Sequence, residues 1–407
     1  MPGLHPSDAM GMKTALVLSG GGARGAYSAG VLRYIFGVLQ PELGNQVRVD
    51  VISGNSVGAL NGCWLAGHGW DPTSVDRLSA LWQSLQVADI YKFDARNLFR
   101  TPLKMLQRAQ KAKAARSLLD ASPLHTLVRE NFPWDALRER IDSGGLEALI
   151  ISTTQVGTGR HVLWVDKKSK KKLKSPDPTA ELRQVKMQPE HCLASSALPF
   201  VFSPVAIEDQ IHVDGLLRHN TPLAPALALG CERILVINVK RSYASRSKKR
   251  KKSPPVKEAT MAFLMGKALH ALLLDPAEKE LERAERESAI IEYGVKTYGD
   301  EFLTGLNDTL NPDAPFRRRR TMILRPEQDL GKVAAEVWAK SSFELTRTTR
   351  LLLTHIAERE DIKEADFLSY LLFDTAYTTV LEKQGYLDTK ARHAELVEFF
   401  TQPPGAI

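Results

Sequence analysis

Apolar positions along this chain fall into short β-branched runs, each closed by small residues and followed by a stretch of helical period. Residues 13–19, KTALVLS, read as a strand. Gly20-Gly21-Gly22-Ala23-Arg24-Gly25 then turns the chain, and AYSAGVLRYIF, residues 26–36, continues as a helix. A second such unit follows. Val47, Val49, Val51 and Ile52 suit a buried strand, Gly54-Asn55-Ser56-Val57-Gly58 makes a tight turn, and a helix runs on to residue 67. Two consecutive strand–turn–helix units predict a parallel sheet with helices on its faces.

Residues 72–89 have a helical period, and 90–121 read as a basic amphipathic helix. SPLHTLVRENF reads as a short helix with Ser122 as N-cap and Pro123 at its first position. Residues 146–166 predict two paired strands. KKSKKKLKSPDP, 167–178, has no hydrophobic period and reads as a solvent loop. EHCLASSALPFVFSP, 190–204, starts helical and ends at prolines. QIHVDG is a short strand, APALALG a small helix and CERILVINV, 231–239, another apolar strand. A basic linker spans 241–255. Helical stretches follow at 256–274 and 276–297, then a strand at Met322–Leu324 and helices with polar joints over 332–400. The expected organisation is one α/β domain over 1–350, with its core at 13–240, a late strand near 321–326 and a helical excursion at 256–297. A helical C-terminal tail at 351–407 is expected after it.

Hydrophobic residues make up 43% of the 407, enough for a sizeable core and against wholesale disorder. The 55 Lys and Arg against 47 Asp and Glu leave +8, an excess that matters only where it clusters. It clusters at 167–174, 246–252 and Arg317–Arg320, which could draw the protein to an anionic membrane surface. These runs lack interleaved aromatics, so no nucleic-acid partner is expected. Cys63, Cys192 and Cys231 are too few and too scattered for a disulfide framework or a zinc site. No secretory signal and no bilayer-length apolar run is evident. The expectation is a cytoplasmic protein, peripheral to the membrane where it meets lipid.

Gly54 to Gly58 fits G-x-S-x-G. Between a strand and a helix, this turn pushes the Ser56 hydroxyl over the sheet's carboxyl edge, at the positive end of the helix dipole. A chance serine in a strand-to-helix turn is the plain alternative. A serine hydroxyl needs a base, and the oxyanion it creates needs preorganised donors. For the donors, the glycine run 20–25 can point its N–H groups at one oxygen. The same run satisfies a dinucleotide fingerprint through Gly20, Gly22 and Gly25. That reading requires an acidic residue about 20 positions on, ending a second strand. Glu42 lies in a turn and Asp50 inside the next strand, so neither fits well. For the base, Asp214 precedes Gly215 at a strand end, from where a carboxylate can reach across the sheet. An Asp-Gly turn without chemistry is its rival. A Ser-Asp-His triad would draw on His219, a late histidine in a loop. His270 and His355 lie in helical patterns, and His212 precedes the acid.

Four blocks taken together resemble the patatin-like phospholipase family in order and spacing: GGGARG (20–25), GNSVG (54–58), ASSALPFVFSPV (194–205) and DG within DGLLRHNTPL (214–223). The resemblance covers roughly 13–240 and continues weakly through LLLDPAEKELERAER and the strand at 323–331. It implies a three-layer α/β/α sandwich with a mostly parallel central sheet, and a Ser-Asp dyad with no histidine, metal or other cofactor. Ser56 would be the nucleophile and Asp214 the base. Gly54 and Gly58 would shape the nucleophile elbow. The loop of Gly20, Gly21, Gly22, Arg24 and Gly25 would form the oxyanion hole through the Gly21 and Gly22 N–H groups. Asn55 and Val57 stand where many members have smaller residues, and Leu216 where a second glycine is frequent; these bear on acyl preference and pocket width. The implied activity is cleavage of fatty acyl esters of phospholipids or lysophospholipids. A triacylglycerol lipase or thioesterase with the same dyad, and a lipid- or nucleotide-binding module without turnover, are the alternatives. ALPFVF would line an acyl channel or serve as ordinary core.

Overall fold

The computed structural model describes residues 12–93, 119–171, 173, 179–199, 201–217, 223–241, 282–310, 316–359 and 366–403. Among these residues nine strands join in one sheet: β1 (Thr14–Leu18), β2 (Val51–Gly54), β3 (Ala148–Gln155), β4 (His161–Lys167), β5 (Ala180–Gln184), β6 (Val205–Ile207), β7 (Gln210–Asp214), β8 (Arg233–Ile237) and β9 (Arg320–Leu324). The path is β9-β8-β1-β2-β3-β4-β5, and its first five strands run parallel.

The strand residues alternate between two cores. Leu16, Leu18, Ile52, Leu149, Ile151, Leu235 and Ile237 point into one; Ala15, Val17, Val51, Ala148, Ile150, Ile234 and Val236 point into the other. A sheet buried on both faces is a middle layer, which explains why its strands are apolar throughout. The larger core is covered by helices α1 (Gly25–Tyr34), α2 (Val57–His68), α3 (Pro72–Ser84), α4 (Ser122–Asn131) and α5 (Pro189–Ser195). Helix Ala224–Ala228 and a helix over 282–298 cover the smaller one, through Ala226 and Ala284. The molecule is a three-layer α/β/α sandwich, as the family resemblance implies.

The C-terminal helices α6 (Asp366–Leu371), α7 (Thr375–Ala391) and α8 (His393–Thr401) add Leu371, Tyr377, Leu381, Phe399 and Phe400 to the larger core. At the crossing of α7 with α1 the backbones touch. A Cβ on Gly30 would overlap the Glu382 carbonyl oxygen, and one on Gly385 would overlap that of Tyr27. No helix among the described residues is long and apolar enough to cross a membrane.

Several local expectations shift. β2 begins at Val51, not Val47; just before it Asp50 bonds to Thr14, its N–H to the Thr14 carbonyl at 2.9 Å and its carboxylate to the Thr14 N–H at 2.8 Å. Ser122 is the first residue of α4, and its hydroxyl donates to Asp120 at 3.0 Å instead of capping the helix. β5 and β6 carried no sequence signal. The amphipathic helix expected at 90–121 falls at 94–118 outside the described residues, as do most of the linker at 241–255, the helix at 256–274 and His219. The flanking residues Lys92–Phe93 and Leu119–Asp120 pair as a two-stranded ribbon.

One feature of the sheet sets the site. β2 pairs with β3 only as far as Gly54↔Ile151 and then turns away into α2. β4 holds the other edge of β3. The edge that β2 vacates is taken by β7, running antiparallel, with Asp214 opposite Thr153. The end of β2 and the end of β7 therefore meet along one edge of β3, opposite Ile151 and Thr153.

Candidate active site

Ser56 occupies the turn between β2 and α2 with φ 53° and ψ −126°, a left-handed conformation rare outside glycine. It stands at the N-terminus of α2, where the helix dipole favours a negative oxygen. The elbow glycines have steric reasons. A Cβ on Gly54 would overlap the Gly58 backbone, and one on Gly58 would overlap the Leu18 carbonyl. The turn is pinned from outside as well. The Ser56 N–H donates to Ser195 Oγ at 2.9 Å, and Asn55 Oδ1 accepts from Ser152 Oγ at 2.7 Å and Ser195 Oγ at 3.4 Å.

Asp214 ends β7. Its N–H donates to the Ala197 carbonyl at 2.9 Å, and its Oδ1 accepts the Leu216 N–H at 2.9 Å. The side chain is fully buried, and that burial pushes the carboxyl up to about 7, against the pull of the Ser56 hydroxyl and the Leu216 N–H. Oδ2 is buried and has no partner in full hydrogen-bond geometry, an arrangement that fits an acceptor waiting on a proton. Gly215 packs against Asn55 Oδ1 and Ser152 Oγ with no room for a Cβ. The sequence-expected nucleophile and base are brought together.

No histidine among the described residues lines the cavity that holds Ser56. His212 is buried at 3.0 Å from Thr153 Oγ1 and edge-on to Trp164. Burial, with Arg183 nearby, lowers its pKa to about 4, so it is neutral at physiological pH.

Gly20 and Gly21 form the loop after β1. Gly22, Ala23 and Arg24 make a tight helical turn, and Gly25 opens α1. Gly22 has φ 57°, and a Cβ there would overlap the Tyr370 carbonyl. One on Gly25 would overlap Val57. Neither the Gly21 nor the Gly22 N–H meets a backbone acceptor among the described residues. The Arg24 side chain goes elsewhere. Its Nε donates to Ser369 Oγ at 2.8 Å, its guanidinium pairs with Asp366 at 2.9 Å, and it lies 4.3 Å over the Tyr370 ring. The dinucleotide alternative loses its ribose acceptor, because the Asp50 carboxylate is taken by the Thr14 N–H and by Arg48.

Ser56 and Gly22 border one cavity. Its other walls are almost wholly apolar: Trp64 from α2, Trp82 from α3, Leu198 and Phe202 from the ALPFVF block, and Leu371 and Phe373 from the C-terminal segment. Such a space accepts a hydrocarbon chain. Asn55, Ser152, Ser195 and the C-terminal wall are the parts that sequence reasoning missed. The serine of ASSALPF was visible, but nothing local marked it as a partner of Ser56. Among the basic clusters, Arg319 pairs with Glu287 at 3.1 Å and Arg320 pairs with Glu398.

The family model described as Patatin-like phospholipase matches residues 16–227. No curated protein matches the chain. Among solved structures, VipD from Legionella pneumophila is similar at 12% identity, covering 93% of this chain and 67% of that one, with a TM-score of 0.35. The heterodimeric ExoU-SpcU complex of the Pseudomonas aeruginosa type III secretion system is similar at 15% identity, covering 88% and 68%, with a TM-score of 0.27.

Proposed function

The chain belongs to the patatin-like phospholipase family and is a lipid acyl hydrolase, and from that premise we propose that it cleaves fatty acyl esters of phospholipids or lysophospholipids with Ser56 as nucleophile and Asp214 as base. One observation carries the reading: an elbow serine at a helix N-terminus beside a buried carboxyl held near pKa 7. Ser56 Oγ attacks the ester carbonyl while Asp214 takes its proton. The oxyanion is met by the Gly21 and Gly22 N–H groups and the α2 dipole, and much of the rate must come from these donors because a carboxylate is a weak base. Collapse expels the alcohol, which recovers the proton from Asp214. Water then attacks the acyl-enzyme with Asp214 again as base, and the fatty acid leaves. The acyl chain lies meanwhile in the apolar cavity.

The test uses phosphatidylcholine and lysophosphatidylcholine vesicles, with and without anionic lipid, assayed for released fatty acid, together with a fluorophosphonate probe. The probe is expected to label Ser56. Ser56→Ala and Asp214→Asn are each expected to lower turnover by about a thousandfold or more, while His219→Ala stays active. Anionic lipid is expected to raise the rate through the lysine runs. Turnover retained in a folded Ser56→Ala protein would remove the serine from the mechanism, and absence of any adduct would favour a binding module.

A further inference from the structure

We propose that the C-terminal segment at 366–375 is the specificity-determining wall of the acyl cavity, and that Phe373 and Leu371 limit the length of chain that fits beside Ser56. This rests on the reading of the cavity as an acyl site. Leu371 and Phe373 line the same space as Ser56 and Gly22, although they lie some 150 positions beyond the last residue of the family match at 227.

The segment is fixed at three points along the cavity rim. Arg24 holds its first turn to the glycine loop through Asp366, Ser369 and Tyr370. The Tyr91 hydroxyl donates to the Leu371 carbonyl at 2.8 Å, in the middle of the segment. At the far end Gln86 Nε2 donates to Thr375 Oγ1 at 2.9 Å, and Thr375 Oγ1 donates to the Leu85 carbonyl at 3.3 Å. Between the last two anchors Phe373 stacks on Trp82, with ring centroids 6.2 Å apart and planes 17° apart. Trp82 is itself held, because its indole N–H donates to Asn61 Oδ1 at 3.0 Å.

These anchors decide what a truncation does. A side chain removed from a wall that can collapse leaves little space, whereas one removed from a pinned backbone leaves most of its volume open. Phe373 sits on a backbone tied at both ends and against a ring that is tied as well. Losing its phenyl group therefore lengthens the cavity instead of closing it, and the room gained adjoins the space already open to Ser56.

The measurement is kcat/KM for p-nitrophenyl esters from butyryl to palmitoyl. Phe373→Ala is expected to raise the palmitoyl-to-octanoyl ratio, chiefly through a lower KM for long chains, by up to about fourfold for each extra methylene that enters the cavity. Phe373→Trp is expected to lower the same ratio. Phe373→Leu is the milder variant if the alanine protein does not fold, and it should move the ratio in the alanine direction. A general loss of packing would lower all esters alike and leave the ratio flat. Fluorophosphonate labelling of Ser56 is measured alongside. Wild-type protein that does not label defeats the acyl-hydrolase mechanism itself; labelled, folded variants with an unmoved chain-length profile defeat this proposal alone.

Discussion

A carboxyl with a pKa near 7 is divided at neutral pH between the form that accepts a proton and the form that returns one, which is what Asp214 must do twice in each cycle. Below that pKa it carries the proton and cannot take another from Ser56. kcat/KM is therefore expected to fall as pH drops through about 7, approaching a tenfold loss per unit on the acid side. A flat profile across that range would show that Asp214 is not the titrating base. The same shift has a stability sign. The folded pKa of about 7 lies above the ordinary 3.8, so folding favours the protonated form. That contribution is full below 3.8 and is lost as pH rises through 7, where the fold must bury a carboxylate. Asparagine cannot ionise. Asp214→Asn is thus expected to be more stable than the native protein at about pH 8, by roughly 2 kcal/mol or more, and level with it near pH 4. Equal melting shifts at both pH values would contradict a perturbed carboxyl.

At the scale of elements, the site depends on how a short stretch at the end of α5 ties two strand ends together. Ser195 Oγ takes the Ser56 N–H, and two residues on the Ala197 carbonyl takes the Asp214 N–H. The left-handed Ser56 costs about 1–3 kcal/mol, and such a conformation persists only when neighbours enforce it. Ser195→Ala leaves the buried Ser56 N–H without an acceptor, which costs about 1–3 kcal/mol, and loosens the nucleophile. A lower melting temperature and a fall in kcat larger than any rise in KM are expected; unchanged kcat would mean that the elbow holds itself. The elbow was legible because Gly54 and Gly58 bracket a serine between a strand and a helix in the G-x-S-x-G pattern, although only Gly54 answers a steric demand within the turn and Gly58 is held by the Leu18 backbone of β1. Asp214 was legible as a strand-end Asp-Gly. The role of Ser195 was not, since its bond to Ser56 joins residues 139 positions apart. β5 escaped notice for another reason: AELRQ lies at the sheet edge, half exposed, so no apolar alternation marks it.

Over the whole molecule, the apolar runs β1, β2, β3 and β8 were readable because a strand buried on both faces must be apolar throughout. Helical period over the C-terminal third was readable too. What it could not disclose is the surface each helix packs on, so Tyr370, Leu371 and Phe373 carried no hint of the cavity. The glycines at the α1–α7 crossing do carry that information once the partner is known. α1 begins at the oxyanion-loop candidates, and α7 begins directly after the cavity wall, so their contact fixes one relative to the other. A methyl group at residue 30 has nowhere to go but into the Glu382 backbone. Gly30→Ala is therefore expected to destabilise by about 1–3 kcal/mol or more, to expose 366–375 to limited proteolysis and to depress ester hydrolysis. Gly37, in the continuation of the same helix, has nothing nearer than 3.9 Å to its missing methyl. Gly37→Ala is expected to be neutral or to stabilise by about 0.5–1 kcal/mol through helix propensity alone. If the two variants behaved alike in melting, proteolysis and turnover, the backbone contact between α1 and α7 would not be what holds the C-terminal wall against the site.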